Sequence, residues 1–77
     1  MTDIKEAAEY IIKAVVTDSQ GVELSSRVEN DLTILEISAP PEIIGQIIGK
    51  EGKIIKSIRT LLNLAFPQTH YLLQIKE

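Results

Sequence analysis

The chain has no cysteine and no tryptophan, a single histidine and three aromatic residues, Tyr10, Phe66 and Tyr71, among 77 residues. Without cysteine, neither a disulfide framework nor a thiolate zinc site supports the fold. With His70 as the only histidine, a histidine-based metal centre is equally unpromising. No apolar run approaches the roughly 18–20 residues needed to span a bilayer. The opening Met1-Thr2-Asp3-Ile4-Lys5-Glu6 lacks the basic then apolar layout of a secretion signal, so the expectation is a soluble, cytoplasmic protein. The acids Glu6, Glu9, Glu23, Glu29 and Glu36 are scattered along presumed solvent faces, and no nucleophile has a base at a suitable spacing. Catalysis is not expected, and neither a cofactor nor a small-molecule substrate is implied.

What is present is one modest domain, expected to occupy residues 1–77, with 44% hydrophobic and 25% charged residues. A core of that size gives marginal stability. The net charge of −3 argues at first against nucleic acid. The charge is unevenly placed, however. Between Gly45 and Asn63 lie Lys50, Lys53, Lys56 and Arg59 against Glu51 alone, a balance of +3, while the rest of the chain carries −6. One basic segment on an acidic protein can hold a phosphate chain with modest affinity.

Apolar residues at Ile4, Ala7, Ala8, Ile11, Ile12 and Val15 recur at helical spacing and predict a helix over 3–17, with Asp3 and Glu6 placed as a capping box. Val22–Val28 alternates, and Leu32–Ser38 is apolar on both faces, so two strands are expected, the second central in its sheet. Glu29-Asn30-Asp31 supplies the hairpin turn between them. Pro40-Pro41 opens a short helix over 42–48 that ends at Gly49. A second helix is expected from Lys53 to Phe66, with Ile54, Ile55, Ile58, Leu61, Leu62 and Ala65 within an arc of about 120° and the cations opposite. Pro67 stops it, and a last strand is expected over 70–76. The order α-β-β-α-α-β implies an α+β fold. A parallel crossover completes a three-stranded mixed sheet with three helices on one face.

The segment Ile47-Ile48-Gly49-Lys50-Glu51-Gly52-Lys53-Ile54-Ile55 carries the chemistry. Two glycines bound a four-residue joint between helices, where a sharp backbone turn or the close approach of another chain is required. The helix that follows presents N–H groups and a positive dipole end. Lys50 and Lys53 add charge there, and Lys56 and Arg59 extend it. The Gly45–Glu51 stretch is one residue short of a phosphate-binding P-loop and lacks its Ser or Thr. Gly45-x-x-x-Gly49 lies in a segment too short to be a membrane helix pair.

This segment resembles the KH signature: an apolar pair, G-x-x-G, then spaced apolar positions. Ile47, Ile48, Gly49, Gly52, Ile55 and Ile58 fall on it, and Pro40 and Gly45 match upstream preferences. The element order resembles the type II KH fold, and the whole chain is similar to small bacterial single-KH proteins of the KhpA type. The resemblance implies a clamp on about four nucleotides of single-stranded RNA, low sequence specificity, and a post-transcriptional or RNA-chaperone role. It assigns the backbone clamp to Gly49, Lys50, Glu51 and Gly52, with Ile44, Gly45, Ile47 or Ile48 as an apolar floor opposite the last strand; Lys53, Lys56 and Arg59 join the expected RNA-binding set through their charge. Glu51 departs from the pattern, since a carboxylate beside phosphate lowers the expected affinity. The resemblance further implies a homodimer or a heterodimer with a KhpB-type RNA-binding protein.

Simpler readings stand beside these. G-x-x-G alone is usually a turn, a cationic helical stripe is often a solvated face, and Ile47 and Ile48 are core candidates first. A protein-interaction module on the KH scaffold, with Leu64 outside the apolar arc and free for an interface, is the alternative function. A helix-turn-helix DNA binder is a third, but its first helix would be only about seven residues long, and the hairpin and parallel strand would go unexplained.

Overall fold

A computed structural model describes residues 3–76. Helix α1 spans Ile4–Val15, strand β1 Glu23–Glu29, strand β2 Leu32–Ser38, helix α2 Pro41–Ile48, helix α3 Lys53–Ala65 and strand β3 Tyr71–Ile75, with a short 3-10 turn at Lys50–Gly52 between the last two helices. The expected order α-β-β-α-α-β is the observed one. Among the described residues, no helix is long and apolar enough to cross a membrane.

The ends of the elements follow from local chemistry. The Asp3 carboxylate accepts the Glu6 N–H at 2.8 Å and starts α1. That helix stops two residues earlier than expected. Val16 is already extended, with φ −103° and ψ 155°, and the Thr17 N–H is taken by Gln46 Oε1 at 2.9 Å instead of continuing the helix. Asn30 and Asp31 both have positive φ, 51° and 68°, as a two-residue primed hairpin turn demands and as these two side chains tolerate. At the far end of α3, Phe66 leaves the helix at φ −131° and ψ 63°, because the following Pro67 excludes the helical conformation from its predecessor.

The sheet order is β1-β2-β3, with β1 antiparallel and β3 parallel to β2. The strand that is apolar on both faces is therefore the central one. Register pairs Leu24 with Ile37 and Leu35 with Leu73 on one face. There they join Ile4, Ala8, Ile12, Ile43, Ile47, Ile58 and Leu62 from the helices in one core. Ile34 lies on the other face, in a row between Arg27 and Leu72, buried but outside that core.

One expectation needs correction. The apolar arc of α3 is not buried as a unit. Ile58 and Leu62 are in the core and Ile55 is half-buried, but Ile54, Leu61 and Ala65 are exposed, Leu61 at 51%. Helices α1 and α2, with the core they share with the sheet, cover only the middle of the arc. In β1 the same happens at Val28, which is exposed at the far end of the edge strand.

Candidate nucleic-acid interface

The joint between α2 and α3 is built by glycines with different duties. Gly49 has φ 76° and ψ 174°, a region essentially closed to other residues. A Cβ there would also run into the side chain of Ile54. Its N–H closes α2 on the Gly45 carbonyl at 2.9 Å, and its carbonyl takes the Gly52 N–H at 3.1 Å. Gly52 is left-handed at φ 73° and ψ 17°, yet a Cβ there would meet nothing nearer than Lys56 Cε at 4.0 Å. Gly49 is thus demanded by packing and backbone together, whereas Gly52 turns the chain beneath open space. Glu51 between them is left-handed too, at φ 58° and ψ 24°, which costs a non-glycine residue about 1 kcal/mol.

Gly45 is different again. It lies inside α2, is exposed, and has nothing within 4 Å of where its Cβ would be. A helical glycine with room for a methyl group costs about 0.5–1 kcal/mol relative to alanine and gains nothing in packing.

Around these glycines the expected site residues divide. Ile47 is fully buried and belongs to the core. Ile44 and Ile48 are half-buried, so part of each stays at the surface. Lys50, Glu51, Lys53, Lys56 and Arg59 are exposed. No side chain caps the N-terminus of α3; the Lys53 N–H turns back to the Lys50 carbonyl, and the positive dipole end of the helix faces the loop. Among the described residues the ion pairs are Lys13–Glu9 and Arg27–Glu29, both at 3.6 Å, so none of the four cations of the basic segment has a carboxylate partner there. Lys56, Arg59 and Asn63 follow at i, i+3 and i+7, which places them on one flank of α3. Gln46 fixes α2 from behind: besides accepting the Thr17 N–H, its amide lies 3.1 Å from Thr17 Oγ1.

Sequence reasoning missed two residues at this site. The Tyr71 hydroxyl crosses from β3 to α3, 2.7 Å from Asn63 Oδ1 and 3.1 Å from the Arg59 carbonyl. The cationic flank therefore faces the last strand. Burial pushes the Tyr71 hydroxyl above its usual 10.0, with Arg59 pulling the other way, so it remains a donor through the physiological range. An aromatic at the start of a strand signals packing, and nothing local in the sequence pairs it with a residue eight positions earlier.

A glycine-bounded turn between two helices, inserted between two parallel strands of an α-β-β-α-α-β fold, defines a KH domain in its type II arrangement. A family model described as "KhpA/KhpB, KH domain" matches residues 5–74, and the chain belongs to that family. It is similar to the RNA-binding protein KhpA of Clostridium perfringens, 37% identical over 80% of this chain and 83% of the relative. The KhpA of Borreliella burgdorferi is 34% identical over 92% and 87%, and that of Chlamydia pneumoniae 44% over 77% and 76%. No solved structure matches significantly.

Proposed function

We propose that this chain is a single KH module that binds single-stranded RNA in the cytoplasm, as a post-transcriptional regulator or RNA chaperone and not as an enzyme. The observation that carries this reading is the coincidence at one place of a helix N-terminus without a side-chain cap, two positive-φ glycines and four cations with no carboxylate partner among the described residues. Its relatives are named as RNA-binding proteins. The backbone lies along Gly49–Gly52, with Lys50 and Lys53 on its phosphates, Lys56 and Arg59 continuing the track, and Gly45, Ile44 and Ile48 beneath the bases. Glu51 opposes the phosphates and keeps the affinity modest.

Titration of labelled single-stranded RNA against salt tests the proposal. Four phosphate contacts give a log–log slope of about −3, from roughly −0.7 each. Lys50→Asp flattens the slope and weakens binding. Lys50 is the cleaner probe than Gly52, where any side chain also meets the backbone strain. A salt-independent signal, or one unaffected by Lys50→Asp, would falsify the clamp. Competition with duplex DNA separates it from a helix-turn-helix reader.

A second reading adds to the first. Leu64 and Leu61 are 75% and 51% exposed on α3, on a flank away from Lys56 and Arg59. That pair suits a second copy of the chain or a KhpB-type partner. Covering it leaves the basic track free, so a dimer sets two weak clamps on one RNA. Sedimentation should show a mass that rises with concentration; a constant monomer mass excludes the homodimer.

A further inference from the structure

The far end of the basic track differs in kind from the loop. From Lys53 to Asn63 the track runs about 15 Å along α3, at roughly 1.5 Å per residue, and at its end stand Arg59, Asn63 and Tyr71. Tyr71 Oη has one proton and lies closer to Asn63 Oδ1, at 2.7 Å, than to the Arg59 carbonyl, at 3.1 Å. With Oδ1 engaged, the exposed Asn63 amide turns its NH2 outward. A guanidinium has only donors. The side-chain N–H groups left free here, on Arg59 and the Asn63 amide, all donate, and the carbonyl oxygen beside them is already engaged by Tyr71. A phosphate clamp needs charge, which the loop already supplies; a fixed set of neutral and cationic donors is the equipment for reading a base edge.

We propose that Asn63, oriented by Tyr71, acts with Arg59 as a base reader at the end of the track. It selects bases whose edges present acceptors, guanine first and uracil second, over adenine and cytosine. Guanine offers O6 and N7 side by side, and the uracil carbonyl is an acceptor. The exocyclic amines of adenine and cytosine confront the site with a donor. Tyr71 is a positioning residue: it touches no base and holds the amide in the orientation that presents NH2. This inference rests on the RNA-binding reading and narrows its low specificity to one discriminating position.

The test is fluorescence anisotropy with adenosine octamers carrying one guanosine, uridine or cytidine at each position in turn. A single guanosine is expected to raise affinity about fivefold at one position, with uridine giving less and cytidine nothing. Tyr71→Phe frees the amide and reduces that preference below about twofold, while the salt slope stays as it was. Asn63→Asp replaces donors by acceptors on an exposed side chain, so it carries the test even if Tyr71→Phe fails to fold. It is expected to weaken all binding through its charge and to shift the preference to cytidine. Equal affinity for all octamers, a wild-type preference for cytidine or uniform adenosine, or a guanosine preference that survives Asn63→Asp overturns the reader while leaving the Lys50-dependent clamp intact. Failure of every octamer to bind removes the clamp and the reader together.

Discussion

The two flanks of α3 share one helix and one core anchor, yet they have opposite chemistry and opposite surroundings. One carries Lys56, Arg59 and Asn63 and faces β3 through the Tyr71 hydroxyl. The other carries Leu61 and Leu64 and faces outward with most of their surface exposed. Between them Ile58 and Leu62 are sunk into the core. An amphipathic helix is ordinarily read as two halves, one wet and one dry. This helix has three sectors, and the third is apolar without being buried, which is the feature expected of a surface with a use.

The contrast can be broken most forcefully at its shared anchor. Leu62→Ala leaves a cavity at a fully buried position and should cost about 3 kcal/mol in denaturant unfolding. A domain this small then loses both flanks at once. Next come the flanks separately. Lys56→Glu should weaken RNA binding across all sequences and flatten its salt slope by about one contact without altering sedimentation. Leu64→Asp should abolish any self-association without altering RNA affinity per monomer. If either substitution moves both measurements, the two flanks are one surface.

Smaller effects sharpen the picture at the loop end. Glu51→Asn places a residue that tolerates the left-handed region at φ 58° and removes a carboxylate from beside phosphate. It should raise stability by up to about 1 kcal/mol and tighten RNA binding together. Gly45→Ala separates the two quantities. The methyl group has room, so thermal stability should rise by about 0.5–1 kcal/mol, whereas RNA affinity should fall if bases lie against the α2 backbone. Unchanged affinity would take Gly45 out of the proposed contact set.

Much of this architecture was legible beforehand, and for local reasons. Asn30-Asp31 forces a tight hairpin, Pro67 ends α3 two residues ahead of itself, and two glycines three apart announce a turn that side chains would forbid. The apolar character of Leu32–Ser38 on both faces placed β2 in the middle of the sheet. Where the reading failed, the cause was packing at a distance. Helical periodicity places Leu61 and Ala65 in one apolar arc with Ile58, but periodicity contains no information on how wide the opposing surface is. It likewise extended α1 to residue 17, where a glutamine 29 positions away takes the backbone N–H.

The same division holds for the candidate site. Sequence alone determined the loop, its cations and the helix N-terminus they surround, because G-x-x-G, the flanking isoleucines and the lysines act within a few residues of one another. Only the tertiary structure decided that Ile47 is core while Ile48 is partly open, and that Gly45 has empty space above it. It also decided that Leu61 and Leu64 stand uncovered, and that Tyr71 reaches Asn63 to set the far end of the track. Each of these depends on how the three helices and the return strand lie against one another, and that is settled by the burial of the whole core rather than by any stretch of chain.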